Sequence, residues 1–351
     1  MFRYLSCRSR RTLRARSIEG AEEIAIKTHQ PHSVESRAPV RIIGVACGAG
    51  APDPRCADGP AALRREGLTG RLRLAGLDAA WSTTIPAPAG NDALTVVSTV
   101  AEELAGRTEE LVAHGRVPLV LGGDHSCAIG TWKGAARALA SRGSLGLIWI
   151  DAHMDAHTVL TTPSGRMHGM PLACLFGHGD PRLTAIAGGA TLDPQRVCLV
   201  GVRSFETGEA ALLRRRGVRV FFMHEIARRG LHDVMTDAVA IAGSGGAYGI
   251  SLDLDAVDPR DAPGVGSPAA GGIRGPDLLR SFSRIGHNSA LAGLEIAEYN
   301  PHRDRGGATA CFVGDAIKAL LAPRALRVVE PTPPPGKEDG HRLVSCRKRA
   351  A

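Results

Sequence analysis

The chain has 351 residues, of which 44% are hydrophobic and 4% aromatic, and its formal net charge is +8. No apolar run is long enough to span a bilayer, which argues against an integral membrane protein. The charge lies mostly at the ends: residues 1–40 hold eight Lys/Arg and four Asp/Glu (net +4), and residues 326–351 hold six and three (net +3). A near-neutral body without aromatic residues interleaved among basic ones argues against nucleic-acid binding.

The sequence divides into three regions. Residues 1–40 begin Arg- and Ser-rich with no apolar segment after the Arg pair, so we predict a disordered extension, with a transit peptide as the alternative. Residues 41–325 contain no repeat and no linker and are predicted to form one domain. Residues 326–351 are Pro-rich and basic, which is typical of a solvated tail. The eight cysteines form no CxxC pair, which favours reduced thiols and a cytoplasmic protein.

Strands and helices alternate through the predicted domain. Continuous apolar runs predict strands at residues 41–47, 117–121, 145–150, 197–202, 218–222, 247–252 and 291–296. Amphipathic or Ala/Leu-rich segments between them predict helices, among them 93–113, 128–141, 208–216 and 276–285. This alternation predicts an α/β fold with a single doubly wound, mostly parallel sheet and helices on both faces. In such sheets ligands bind beyond the carboxyl ends of the strands.

Two of these strands end in acidic residues at a spacing of two. After the strand at 145–150 come Asp151, His153 and Asp155, and after the strand at 247–252 come Asp253 and Asp255. Side chains two residues apart in an extended strand lie on the same face. Each set is therefore predicted to converge at the carboxyl end of the sheet.

A third strand, at 117–121, ends in Gly-Gly-Asp-His-Ser and adds Asp124 and His125 to the same edge. Clustered carboxylates repel one another and are costly to bury without a counter-charge. Two divalent cations would remove that cost, so we predict a binuclear metal site. Asp and His after a strand also cap helices or close turns, and that alternative stays open for Asp124.

Three motifs in this order resemble those of the ureohydrolase (arginase/agmatinase) family, and of its arginase branch in particular. They are the segments at 121–126 (LGGDHS), 151–155 (DAHMD) and 251–259 (SLDLDAVDP). The resemblance runs from about residue 41 to about residue 321. It implies an arginase-like catalytic domain over the predicted 41–325 region. It also implies a homo-oligomer, either a trimer or a hexamer.

The resemblance also implies roles for the clustered residues. One metal ion would be bound by His125 and Asp155, the other by His153 and Asp255, with Asp151 and Asp253 bridging the two. The family usually holds two Mn²⁺ ions, with Co²⁺ or Fe²⁺ as alternatives, and oxygen-rich ligand sets suit Mn²⁺. A hydroxide shared by the ions, hydrogen-bonded by Asp155, would attack a guanidinium carbon and release urea and an amine.

The segment at 161–169 (TTPSGRMHG) is similar to the family's substrate loop. The resemblance implies that Thr162 and Ser164 bind the α-carboxylate of an amino-acid substrate. It also implies that His168 passes a proton to the leaving amine, a role that suits a histidine with a pKa near neutrality. The alternative for His168 is an ordinary surface or core histidine.

Further residues are matched by the same resemblance. Glu206 and Glu209 would recognise the α-amino group, and Ser267 would contribute to substrate binding. Glu298 would anchor the guanidinium. A solvated helix start is the alternative interpretation of Glu206 and Glu209.

Two positions depart from the arginase pattern and leave the substrate open. Glu206 stands where arginases commonly have Asp, and His157 stands where they usually have an Asn that contacts the substrate carboxylate. His157 can donate to a carboxylate or can reshape the pocket. L-Arginine is therefore the first predicted substrate, with agmatine, guanidinobutyrate or another guanidino acid as alternatives. A non-catalytic protein that keeps the fold is the competing hypothesis from another class.

Overall fold

The computed structural model describes residues 38–90, 92–286 and 288–323. The predictions made for residues 1–37 and 324–351 lie outside the described residues. The described part contains eight strands: β1 Val40–Ala46, β2 Ala79–Pro86, β3 Val117–Leu121, β4 Ser144–Ile150, β5 Val197–Val202, β6 Arg219–Phe222, β7 Gly246–Asp253 and β8 Leu291–Ala297. They form one sheet in the order β2-β1-β3-β8-β7-β4-β5-β6, and all pairings are parallel.

The described helices fill the connections between these strands. They are α1 Gly59–Arg65, α2 Leu68–Leu74, α3 Ala93–Ala113, α4 Ala128–Leu139, α5 Pro171–Leu175, α6 Pro181–Thr184, α7 Ile186–Gly189, α8 Thr207–Arg216, α9 Met223–Arg229, α10 Leu231–Gly243, α11 Gly275–Ile285 and α12 Ala308–Leu321. Short 3-10 turns lie at 54–58, 125–127, 167–169, 194–196 and 254–256. Among the described helices, none has the length and apolar character needed to cross a bilayer.

The two faces of the sheet bury alternate residues of each strand. In β4, Ile148 and Ile150 pack in a core with residues of α1, α2 and α9–α12. Leu147 and Trp149 point the other way, toward residues of α4, α5 and α8. A strand covered on both faces needs apolar residues at every position, which is why the buried strands read as continuous apolar runs.

The predicted α/β fold with a single parallel sheet and helices on both faces is confirmed. Seven strands lie at the predicted places, and β2 is the strand that was not predicted. Its sequence, AAWSTTIP, is partly polar, and most of its residues are not fully buried. An edge strand pairs on one side only and needs no continuous apolar run, so the apolar pattern did not reveal it.

The register of the four central strands decides where the polar residues meet. Leu121 of β3 pairs with Ile296 of β8, Ile296 pairs with Leu252 of β7, and Leu252 pairs with Ile150 of β4. The carboxyl ends of β3, β8, β7 and β4 therefore lie at one level. The residues that follow these strands come together at the middle of the sheet edge.

Candidate active site

The polar cluster at this edge has two parts that share Asp151. The ligand atoms of His125, Asp151, Asp155 and Asp253 lie within 4.8 Å of one another, as do those of Asp151, His153 and Asp255. All six predicted metal ligands are thus brought together. The four carboxylates are buried, at 7% exposure or less.

Asp151 faces both histidines and has the geometry of a bridge. Its Oδ2 lies 3.3 Å from Nδ1 of His125, and its Oδ1 lies 3.5 Å from Nδ1 of His153. Outside the cluster, Oδ2 accepts from the indole N–H of Trp149 at 2.8 Å. These contacts fix the orientation of the carboxylate between the two imidazoles.

The Nδ1 atom of His125 has the surroundings of a ligand atom. It lies 3.1 Å from carboxylate oxygens of both Asp155 and Asp253, yet it makes no hydrogen bond of acceptable direction and is buried. A buried nitrogen close to several carboxylates but aimed between them fits a cation at the common point. The donor set, with one imidazole to each group of carboxylates, fits a pair of hard or borderline divalent ions.

A hydrogen-bonded chain behind His125 sets its tautomer. The Ser251 hydroxyl donates to Oε2 of Glu295 at 2.6 Å, so its oxygen is left to accept from Nε2–H of His125 at 2.9 Å. The lone pair of Nδ1 then faces the cluster, as metal binding requires. The buried Glu295 also accepts from the side chains of Thr131 and Trp132 in α4, which hold it in place.

The sequence motifs predicted no role for Ser251 or Glu295. The available signal was weak: a serine inside the apolar strand β7 and a glutamate inside β8, which are buried and therefore need partners. In the structure Glu295 lies against α4.

The shifts in pKa within the cluster reflect an excess of carboxylates over imidazoles. Burial and the charge of Asp151 raise the pKa of Asp155 to about 7, although the two histidines oppose the shift. Burial and the charges of Asp255 and Asp151 also raise the pKa of Asp253. For His125, burial disfavours the cation, but the adjacent carboxylates outweigh it and raise the pKa well above the usual value. Cation binding at these residues must therefore displace protons.

Glu298 connects the cluster to the predicted substrate loop. Its Oε1 accepts from the backbone N–H of His125 at 3.0 Å and lies 3.2 Å from Nδ1 of His168. Burial lowers the pKa of His168, but the contact with Glu298 outweighs it and raises the pKa to about 9. His168 is thus next to the cluster in a form that can give up a proton.

Two of these residues hold unusual backbone conformations. Asp155 has φ 48° and Glu298 has φ 67°, in the left-handed region that side chains other than glycine seldom adopt. The Glu298 N–H donates to the Gly123 carbonyl at 2.8 Å, and the Asp155 carbonyl accepts from Leu172 N–H at 2.9 Å. The surrounding backbone holds both side chains toward the cluster at the cost of local strain.

The structure gives local contacts for most of the remaining predicted residues. Thr162 is partly buried and Ser164 exposed, and their oxygens accept from the backbone N–H groups of Gly165 and Arg166 at 3.0 and 3.3 Å. Ser267 is partly buried in the loop after the third motif. Asp124 accepts from backbone N–H groups of Gly50 and Ser126, both at 2.9 Å, which is the capping geometry of a structural residue.

The side chains of His157, Glu206 and Glu209 form a third polar group. Nε2 of His157 lies 3.0 Å from Oε2 of Glu206 and 3.7 Å from Oε1 of Glu209. Glu209 is buried, which raises its pKa to about 7, and it accepts from the backbone N–H groups of Ala156 and Glu206. It ties the loop after β4 to the start of α8.

Comparison with known proteins places this site in a family. The model of the arginase family matches residues 38–322. The chain belongs to the arginase family. It is 38% identical to the arginase of Bacillus caldovelox over 301 residues, which cover 82% of this chain and 99% of that protein. It is 33% identical to human arginase-1 over 283 residues, 77% of this chain and 87% of that protein.

Solved structures agree with this assignment. The structure of the Bacillus caldovelox arginase superposes with a TM-score of 0.77 at 36% identity and covers 82% of this chain and 99% of that chain. The arginase from Bacillus subtilis gives 0.76 at 34% identity, over 82% of this chain and 100% of that chain. The protein is an arginase-family hydrolase with a buried His/Asp cluster compatible with a binuclear metal site.

The hydrogen bonds from His125 to Ser251 and from Ser251 to Glu295 lead to a testable prediction. Ser251→Ala removes the acceptor for Nε2–H, so the position of the ring proton of His125 is no longer fixed. We expect metal affinity to fall by about tenfold. The measurement is competition for Mn²⁺ against a calibrated chelator. Ser281→Ala is the matched control, because Ser281 is also a buried serine, lies in α11, and has no hydrogen-bond partner among the described residues. Equal affinities for the two variants would contradict the role given to Ser251.

Proposed function

We propose that the protein is a metal-dependent amidinohydrolase that converts L-arginine to L-ornithine and urea, with two Mn²⁺ ions per chain. The observation that supports it best is the shared Asp151 between two histidine-containing ligand groups, with His168 and Glu298 directly beside them. Asp151 and Asp253 would bridge the ions, with His125 and Asp155 on one ion and His153 and Asp255 on the other. When bound, such a pair polarises a shared water and supplies the nucleophile.

The protein's own residues would position the guanidino group and handle protons. Two contacts occupy Oε1 of Glu298, and its second oxygen, Oε2, can pair with a guanidinium. Asp155, at the cluster edge, would accept the proton that the attacking water loses. His168, with its pKa raised to about 9, holds the proton that the leaving amine needs.

The amino-acid end of the substrate would lie beside the loop at 161–169 and the start of α8. The hydroxyl oxygens of Thr162 and Ser164 accept hydrogen bonds from backbone N–H groups. Their hydroxyl protons can therefore be donated to a carboxylate. Ser267 is proposed to assist there. Glu206 would receive the ammonium group, supported by the buried Glu209.

Three further expectations remain predictions. The protein is proposed to be cytoplasmic, to assemble as a trimer or hexamer, and to act on a small guanidino molecule. Co²⁺ or Fe²⁺ could replace Mn²⁺ in the same oxygen-rich ligand set.

The activity is tested by urea release from a panel of guanidino compounds at alkaline pH, with Mn²⁺-loaded and chelated protein. We expect urea from L-arginine at the highest kcat/KM, and none after chelation. A higher kcat/KM for agmatine or guanidinobutyrate would mean that the protein performs the same hydrolysis on that compound in place of L-arginine. Two bound ions with no urea from any compound would overturn the proposal in favour of a non-catalytic protein.

His168→Ala tests the proton donor. We expect kcat to fall by about a hundredfold while metal content stays at the wild-type value, because His168 contacts Glu298 and is not a predicted metal ligand. His114→Ala, an exposed histidine at the end of α3, is the control and should leave both quantities unchanged. A wild-type kcat for His168→Ala would remove the assigned role.

A further inference from the structure

His157 has both ring nitrogens occupied by protein partners. Nε2 lies 3.0 Å from Oε2 of Glu206, and Nδ1 lies 3.2 Å from the hydroxyl oxygen of Thr161. A carboxylate only accepts hydrogen bonds, so Nε2 carries the proton and donates to Glu206. The Thr161 hydroxyl can donate or accept, so Nδ1 also has a partner. No N–H of His157 is left for a substrate carboxylate.

The ring is held in this position from several sides. The backbone N–H of His157 donates to the carbonyl of Gly169 at 3.0 Å, next to His168. The ring is almost fully buried, with 8% of the side chain exposed. On the other side Glu209 fixes the backbone of both Ala156 and Glu206. The His157 ring therefore cannot turn without breaking its contacts.

Glu206 is the exposed partner of this pair. Its side chain is 60% exposed, and a glutamate has three rotatable bonds to restrain. The hydrogen bond from His157 holds Oε2 in place, and the capping box at the start of α8 also includes this side chain. A carboxylate held in this way is ready to accept from an ammonium group.

We propose that His157 is a positioning residue for Glu206, and that it sets recognition of the substrate ammonium group and makes no contact with the substrate carboxylate. The inference rests on the proposed function and deepens it. The carboxylate end is left to Thr162 and Ser164, whose hydroxyl protons are free.

Three guanidino compounds separate the two ends of the substrate. L-Arginine has both groups, agmatine keeps the ammonium and lacks the carboxylate, and 5-guanidinopentanoate keeps the carboxylate and lacks the ammonium. His157→Asn shortens the side chain and places its amide away from Glu206. We expect KM to rise by about tenfold for L-arginine and agmatine and to stay unchanged for 5-guanidinopentanoate, with kcat little affected.

Matched variants distinguish positioning from a general structural effect. His157→Gln places an amide N–H near the Nε2 position, so it should restore nearly wild-type KM values. Glu206→Gln should reproduce the pattern of His157→Asn, and the double variant should be no worse than Glu206→Gln alone. Thr162→Val should give the opposite pattern, with KM raised for L-arginine and 5-guanidinopentanoate only.

Several results would overturn the inference. A rise in KM for 5-guanidinopentanoate with none for agmatine would mean that His157 binds the carboxylate. Equal losses for all three compounds, not restored by His157→Gln, would mean that the ring has only a structural role.

A binding measurement keeps this test separate from the activity. Calorimetric titration of L-ornithine and putrescine into the Mn²⁺-loaded protein needs no turnover, and His157→Asn should weaken both by about tenfold. Unchanged affinities would overturn the inference even if the enzyme cleaves arginine. Absence of urea from every compound would overturn the proposed function, while weakened diamine binding would still support the role of His157.

Discussion

The repulsion among four buried aspartates is the constraint on which the rest of this site depends. Asp151, Asp155, Asp253 and Asp255 lie at the end of neighbouring strands with their oxygens a few ångströms apart. Charged groups so close and so little exposed destabilise the fold unless protons or cations compensate them. Burial and this repulsion raise the pKa values of Asp155 and Asp253. Two divalent ions at the same positions would turn the repulsion into binding energy.

The parallel sheet makes this concentration of charge possible. Its central strands end at one level, and the apolar residues before each end anchor the backbone in two packed cores. Strained positions such as Asp155 and Glu298 persist because the framework around them is rigid. The same framework holds Ser251 and Glu295, which keep His125 in the tautomer that a metal ion needs.

Local pattern was sufficient to predict much of this architecture and not all of it. Strands buried on both faces and side chains at a spacing of two are local signals, so β4, β7 and the ligands that follow them could be predicted. The edge strand β2 lacks that signal because half of its environment is solvent. Contacts such as His157–Glu206 and Ser251–Glu295 join residues 49 and 44 positions apart. They depend on strand order and register, which periodicity alone does not specify.

The most direct test of the account is calorimetric titration of the apoprotein with Mn²⁺ at two pH values, in buffers of different ionisation enthalpy. We expect two ions per chain, with net release of protons. Affinity should be higher at pH 8 than at pH 6, because the cations displace protons from groups whose pKa values are raised, Asp155 to about 7 among them. Asp151→Asn, which removes the shared charge, should weaken both sites. A single ion per chain, or an affinity that does not change with pH, would contradict the binuclear site.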